Sequence, residues 1–334
     1  MQVLPQPRGP RSHTLIELLA EGPGRSGLPS FPDVQNPLAD EDLQLALYLC
    51  YELHYRGIEG VDPFMEWDPR ILGFRGRLEE AFERALRRAA PVRPATGSVT
   101  ETLQAMAAAE SRPSLSRYMA RQANTREFGE FVIHRSLYTL KEADPHSFVI
   151  PRLDGAAKTA LLEIQTDEYG GGRPERMHSA IFARTMRAMD LDDRYGVYLS
   201  VLPATTLATV NLVSYLSLHR RLRAAAMGHL ALFELTSSVA NRRYGNGLRR
   251  LGFGSDATDY FDEHVEADAV HDMIATHDVV GRMLQERPDL SEDVLFGARA
   301  LAFVEDRFST ALLGVWRERR SSDKPRRTGA LSPS

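Results

Sequence analysis

Apolar residues recur at three- and four-residue spacing through almost the whole interior of this chain, and this periodicity restricts the fold more than any other feature. No segment alternates polar and apolar residues for long enough to predict a β-strand. Helical runs are predicted at residues 40–57, 68–91, 114–142, 147–169, 174–190, 204–240, 257–286 and 291–319. The long run 204–240 is expected to break near Met227 and Gly228. We therefore predict one all-α domain.

Two of these helices carry start and stop signals. The run 40–57 begins at a capping Asp40 and stops at Gly57. The run 68–91 begins with Asp-Pro, a favourable pair for the N-cap and the first helical position, and ends at a proline. These signals support the boundaries inferred from the periodicity.

The two ends of the chain differ in composition from its interior. Residues 1–36 are rich in Pro, Gly and Ser and are expected to form a flexible N-terminal arm. Residues 320–334 are expected to be a disordered C-terminal tail. The folded domain is therefore predicted to span 37–319.

The bulk composition excludes several classes of function. The 41 basic and 45 acidic residues give a net charge of −4, with basic residues scattered along helices, so nucleic-acid binding is not expected. No run of about 18 apolar residues and no signal-peptide pattern is present, which predicts a cytoplasmic protein without membrane association. Cys50 is the only cysteine, so metal binding by several thiolates and a disulfide within the chain are excluded.

A helix near the C-terminus carries two imidazoles and a carboxylate on one stripe. At about 100° per residue, Asp268 lies about 40° from His264, and His271 about 20° to the other side. Nitrogen and oxygen donors on one face suit a first-row transition metal. The competing interpretation is a solvated polar face, because Glu263 and Asp272 lie on the same helix.

Partners for such a metal have to come from other helices. Glu234 lies between Phe233 and Leu235, where a carboxylate is costly to bury unless it is paired or bound to metal. Glu142 closes an apolar helix and is a weaker candidate, since such a residue is commonly exposed.

A third source of ligands surrounds three consecutive glycines. Glu168 and His178 would point about 80° apart on one straight helix. Gly170, Gly171 and Gly172, followed by a proline, predict a backbone break that swings the two side chains together.

Taken in order, these segments resemble the haem-oxygenase-like diiron oxidases and oxygenases, also called iron-containing redox enzymes. The resemblance covers about residues 37–310 and is strongest in "LYLCYELHYRG", "LKEADPHSFVIPRL" and "EIQTDEYGGGRPERMH". The His-x3-Asp-x2-His helix with a glutamate about thirty residues before it is the most specific feature. The resemblance implies a single haem-oxygenase-like helical bundle.

The resemblance also implies a ligand set for two iron ions, with O2 as co-substrate. Its members are Glu142, Glu168, His178, Glu234, His264, Asp268 and His271. Asp167 and Glu163 are alternatives to Glu142, or partners of a ligand histidine. Haem ligation through His54 and nucleophilic use of Cys50 occur in related classes, but the surplus of carboxylates favours non-haem iron.

The implied activity is O2-dependent oxidation of a small metabolite, an amine or amino-acid-like compound, by a non-haem diiron centre. One alternative uses the same centre on a fatty-acid-like substrate, which requires a long apolar channel. Further alternatives are a non-catalytic iron-binding protein and a helical interaction module with a polar surface. A homodimer and an external electron donor are compatible with the resemblance.

Overall fold

The computed structural model describes residues 2–22, 31–92, 97–109 and 114–322, without the side chains at positions 268 and 269. The described chain is helical, with short 3₁₀ turns between helices, and its one β-type contact is an isolated bridge between Gln2 and Ile58. The α-helices are α1 Pro10–Glu21, α2 Glu41–Glu52, α3 Pro69–Ala89, α4 Val99–Ala108, α5 Leu115–Arg121, α6 Thr125–Thr139, α7 Ala143–Ser147, α8 Gly155–Glu168, α9 His178–Ala188, α10 Ala204–Leu218, α11 Arg223–Arg250, α12 Ser255–Met273, α13 Arg282–Glu286 and α14 Ser291–Ser322. The all-α prediction is confirmed.

The predicted helix starts are made by side-chain caps. The Asp40 carboxylate accepts a hydrogen bond from the backbone N–H of Leu43 at the start of α2. Asp68 accepts from the N–H of Arg70, with a proline at the first position of α3. Each carboxylate satisfies a backbone donor that has no partner inside the helix. Because a cap is a local interaction, it could be read from the sequence.

The prediction of a break near Met227 and Gly228 is wrong. The chain instead turns between His219 and Leu222, and α11 runs unbroken to Arg250. Gly228 permits a close helix crossing, because a Cβ there would lie 1.9 Å from the carbonyl oxygen of Val294 on α14. Gly297 has the same role on α14, because a Cβ there would lie 1.8 Å from the carbonyl oxygen of Ala225 on α11.

The ends of the chain also differ from expectation. Within the expected arm, Pro10–Glu21 forms α1, which buries leucine side chains against the body of the protein. The Asp42 carboxylate of α2 accepts from the N–H groups of Arg11 and Ser12 at 2.9 and 2.7 Å, so α2 caps the start of α1. A helix this short is marginal alone and depends on such docking. Residues 23–30 and 323–334, which hold parts of the expected arm and tail, lie outside the described residues, and α14 extends to Ser322.

Other boundaries differ by local turns. The run expected at 114–142 is divided into α5 and α6, and the run expected at 147–169 becomes α8 only from Gly155. Helix α11 packs along both α12 and α14, α12 also packs on α9, and α8 packs on the segment that follows α12. This arrangement directs α7, α8, α9, α11 and α12 towards one buried polar centre. No helix in the described part of the chain has the length and apolar character needed to cross a membrane.

Candidate metal centre

Four side chains from four places in the sequence form the first half of the centre. Glu142, Glu168, His178 and His264 each offer a ligand atom, and these atoms all lie within 4.8 Å of one another. Nδ1 of His178 lies 3.0 Å from Oε2 of Glu168, and Nε2 of His264 lies 3.6 Å from Oε1 of Glu142. Two carboxylates and two imidazoles in this arrangement offer a mixed nitrogen–oxygen donor set of the kind that binds a transition metal.

A second half adjoins the first through a shared residue. Glu168, Glu234 and His271 also offer ligand atoms within 4.8 Å of one another. Nδ1 of His271 lies 3.9 Å from Oε2 of Glu234. Because Glu168 belongs to both halves, it would be shared between metal ions held in the two halves.

The donor set fits metal ions by its burial and its hydrogen bonding. The six side chains are buried, and the most exposed of them, Glu168, is 9% exposed. The buried Oε2 of Glu168 and Nδ1 of His178 pair with each other across 3.0 Å, whereas Nδ1 of His271 is buried without a hydrogen bond to a group in the described chain. Buried polar atoms are rarely left in this state, and buried carboxylates need a compensating cation. Lys141, next to Glu142 in the sequence, does not supply it, because its ammonium pairs with Glu52.

Outer contacts orient three of the ligand candidates. The hydroxyl of Tyr260 donates to Oε2 of Glu142 at 2.8 Å, and Nδ1 of His264 donates to the carbonyl of Tyr260 at 2.8 Å. This bond leaves Nε2 of His264 for a metal. Nε2 of His271 donates to Asp167 at 3.1 Å and leaves Nδ1 facing Glu234. Asp167 therefore lies where a partner of a ligand histidine is expected.

The electrostatics of the metal-free centre favour ion pairing. Burial by itself raises the pKa of Glu168, but the neighbouring imidazoles, His178 above all, outweigh it and lower the pKa to about 2. Burial disfavours the charged form of His178, yet Glu168 raises the pKa of that imidazole to about 9. Burial lowers the pKa of His264 to about 4. His178 thus holds a proton that a metal ion would displace.

The glycine break is present as predicted. Gly170, Gly171 and Gly172 have φ angles of 73°, 58° and 80°, all in the left-handed region that favours glycine. Glu168 is the last residue of α8 and His178 the first of α9, and the turn between them brings their side chains into contact.

The structure brings six of the seven predicted ligands together. Asp268 lies in α12 one turn after His264, and its side chain is outside the described part of the structure. Glu163 is exposed on α8 and lies away from the centre's buried face. Both ring nitrogens of His54 are engaged, by Glu66 and Arg75, so His54 is not a haem ligand candidate. Burial raises the pKa of the Cys50 thiol to about 12, which makes it a poor nucleophile.

Sequence reasoning missed two residues of the centre. Tyr260 precedes His264 by four residues, and His146 follows Glu142 by four, so helical spacing could have identified both. His146 is 4% exposed, and burial lowers its pKa to about 4.

Two cavities share lining residues beside the centre. One of about 20 Å³ is lined by Glu142, Glu168, Glu234, His264 and His146, together with Gln165 and mainly apolar side chains. The other, of about 540 Å³, is lined mainly by aromatic and small side chains and contains the Arg135–Glu305 ion pair. Tyr138 and Phe233 line both cavities, and their stacked rings lie 5.3 Å apart. A stacked aromatic pair thus lies between the large cavity and the carboxylates.

The fold and the centre define a class: a helical bundle with a buried cluster of carboxylates and imidazoles suited to binding metal. Residues 129–306, more than half of the chain, match the family model described as iron-containing redox enzyme. The chain belongs to this family, so iron is the metal that the centre is expected to hold.

Comparison with individual proteins agrees with this assignment. The chain is 27% identical over 152 residues to the nitrosourea synthase of Streptomyces achromogenes subsp. streptozoticus. That alignment covers 45% of this chain and 32% of the synthase, so the chain spans about a third of its relative.

Two crystal structures share the fold at 14% identity. A CADD-like protein of unknown function from Nostoc punctiforme PCC 73102 superposes with a TM-score of 0.53, over 65% of this chain and 96% of that one. A domain of unknown function with a haem-oxygenase-like fold from Shewanella denitrificans OS217 gives 0.50, over 69% and 95%. The predicted haem-oxygenase-like fold is confirmed.

Proposed function

We propose that this chain is a non-haem diiron oxygenase or oxidase that uses O2 to oxidise a small amine or amino-acid-like compound. The observation that carries the proposal is Glu168, which belongs to both halves of the centre. A bridging carboxylate between two sets of Glu and His ligands is typical of dinuclear carboxylate sites in helical bundles. A haem iron would not use three buried carboxylates.

Iron bound here would supply the electrons for O2 reduction, and the protein would supply ligation, access and substrate orientation. Tyr260 holds Glu142 in place through its hydroxyl and also lines the large cavity. Tyr138 and Phe233 separate that cavity from the carboxylates and limit the access of water to them. The small cavity lies among four of the ligand candidates and is the space that iron ions would fill.

The large cavity supports the substrate class. Its Arg135 guanidinium and Glu305 carboxylate form a bidentate ion pair among aromatic side chains. Arg135 retains donors for a substrate carboxylate, and Glu305 retains acceptor capacity for an ammonium group. A fatty acid would pair only with the guanidinium, whereas an amino acid would pair with both charges. The likeness to a nitrosourea synthase, whose name indicates nitrogen chemistry, points in the same direction.

Anaerobic titration with Fe(II), followed by iron analysis, tests the centre. We expect about two irons per chain in the unmodified protein and close to none in Glu168→Ala. Glu234→Ala should retain about one, because Glu234 belongs to the second half alone. Glu163→Ala is the matched control, since this exposed glutamate lies on the same helix as Glu168. One iron per chain, or equal losses in Glu163→Ala and Glu168→Ala, would contradict the proposal.

Oxygen uptake by the iron-loaded protein tests the substrate class. A panel of amines, amino acids and fatty acids is added, and we expect an amino compound to accelerate turnover. Replacing both Arg135→Met and Glu305→Leu removes the two charges together and should abolish that acceleration at unchanged iron content. Acceleration by fatty acids alone would refute the substrate assignment. Uptake that stops after a single oxidation of the bound iron, with every compound, would indicate an iron-binding protein without turnover.

A further inference from the structure

His146 lies beside the metal centre without belonging to the ligand set. It is on α7, and its ring lines the small cavity together with Glu142, Glu168, Glu234 and His264. The ligand groups that converge within 4.8 Å do not include it. It is therefore close enough to face a molecule held in the cavity, but it is not placed as a ligand.

The hydrogen bonding of His146 is incomplete within the protein. Its Nε2 is buried and makes no hydrogen bond to any group in the described chain. A second buried histidine, His229, lies with its ring centre 5.8 Å away, and its Nδ1 likewise lacks a hydrogen bond, so the two rings do not satisfy each other. Each ring nitrogen of an imidazole donates or accepts according to its tautomer. Buried polar atoms without partners are rare and call for an explanation.

The size of the cavity limits what can complete this hydrogen bond. The cavity of about 20 Å³ lies among four ligand candidates, so iron ions and a small molecule bound to them would fill it, and a metabolite would not fit beside them. The organic substrate fits in the larger cavity, on the other side of Tyr138 and Phe233. A diatomic molecule bound to the ions in this space would lie beside His146, which lines the same cavity.

We propose that His146 donates a hydrogen bond to the dioxygen molecule bound at this centre, and so orients and stabilises it. The proposal rests on the proposed function, since it requires iron at the six candidate ligands. His146 is assigned this role by its place in the cavity. His229, which is equally buried and does not line the cavity, has no such role.

Nitric oxide is a suitable probe, because it is diatomic and binds ferrous iron without turnover. The iron-loaded full-length protein is mixed anaerobically with nitric oxide, and the N–O stretching frequency and the dissociation rate are measured. A hydrogen bond to the bound molecule lowers that frequency. His146→Leu should raise the frequency and increase the dissociation rate about 10-fold, the scale expected for losing one hydrogen bond in a buried site. His146→Gln keeps an N–H donor and should restore part of both effects, and His229→Leu is the matched control.

Each result supports or overturns the proposal. Unchanged frequency and dissociation in His146→Leu, or the same shift in His229→Leu, would overturn the role of His146 and leave the diiron assignment intact. Loss of about one iron per chain in His146→Leu and His146→Gln would overturn it too, since His146 would then be a ligand. An unmodified protein that binds no iron would overturn the proposed function, and this inference with it.

Discussion

Gly170 offers the sharpest test of how the backbone builds the centre. Its φ of 73° lies in the left-handed region, where a side chain costs about 1–2 kcal/mol. A Cβ at this position would also lie 2.6 Å from the backbone carbon of Arg176 and from the backbone nitrogen of Met177. Real Cβ atoms do not approach backbone this closely, so the segment before His178 has to move.

The consequence for the metal follows from the position of that segment. Met177 immediately precedes His178, whose Nδ1 lies 3.0 Å from Oε2 of Glu168. A backbone shift of several tenths of an ångström at Met177 is carried to the imidazole, and metal ligands have to be held within about 0.5 Å. We therefore expect Gly170→Ala to weaken iron binding by 10-fold or more, on the scale of about 1.4 kcal/mol per factor of ten.

Gly171→Ala separates the effect of backbone strain at a left-handed φ from the effect of displacing His178. Its φ of 58° is also left-handed, but a Cβ there meets nothing within 4 Å. Both variants should lose about 1–2 kcal/mol of folding free energy through the strained φ, Gly170→Ala should lose more because of its clash, and Gly170→Ala alone should lose iron affinity. Iron titration and thermal unfolding of the two metal-free variants measure the two effects. Equal iron affinity in both variants would refute the argument that Gly170 positions His178.

Two further predictions concern stability. Gly297→Ala should destabilise the protein by about 3 kcal/mol or more in urea unfolding, because its Cβ would lie 1.8 Å from the carbonyl oxygen of Ala225. The control is Gly314→Ala in the same helix, which has open space around it and should be neutral or stabilising by up to about 1 kcal/mol. Equal effects of the two substitutions would contradict the close crossing of α11 and α14. Burial raises the pKa of Glu83, but hydrogen bonds from Arg221, Tyr215 and Arg87 outweigh it and lower the pKa to about 2. This folded-state pKa lies below the unfolded one, so the stabilisation is present above about pH 4.5 and is lost as the pH falls towards 2. Glu83→Gln should therefore cost roughly 1–3 kcal/mol at pH 7, allowing for partly exposed arginines, and less at pH 3; an unchanged cost across that range would refute the linkage.

Local chemistry explains which features could be predicted. The all-α class, the caps at Asp40 and Asp68 and the break at the glycines are set by interactions within about one helical turn, which are visible in a short window of sequence. The stripe on α12 is of the same kind, because helix geometry alone puts His264 and His271 on one face. Ligand candidates from other helices follow from apolar surroundings and from a family resemblance, and four of them converge with His264 and His271 in the structure.

What only the tertiary structure decided depends on contacts between segments far apart in the chain. Glu163 and Glu168 lie on one helix, and only the packing of α8, mainly against the segment that follows α12, distinguishes the exposed glutamate from the one shared by both halves of the centre. Helix α1 forms where composition favoured a loose arm, because Asp42 on another helix caps it. Gly228 suggested a break, yet its missing side chain lets α11 approach α14. In each case the residue type is compatible with several local structures, and the burial of one of them against a distant segment selects among them.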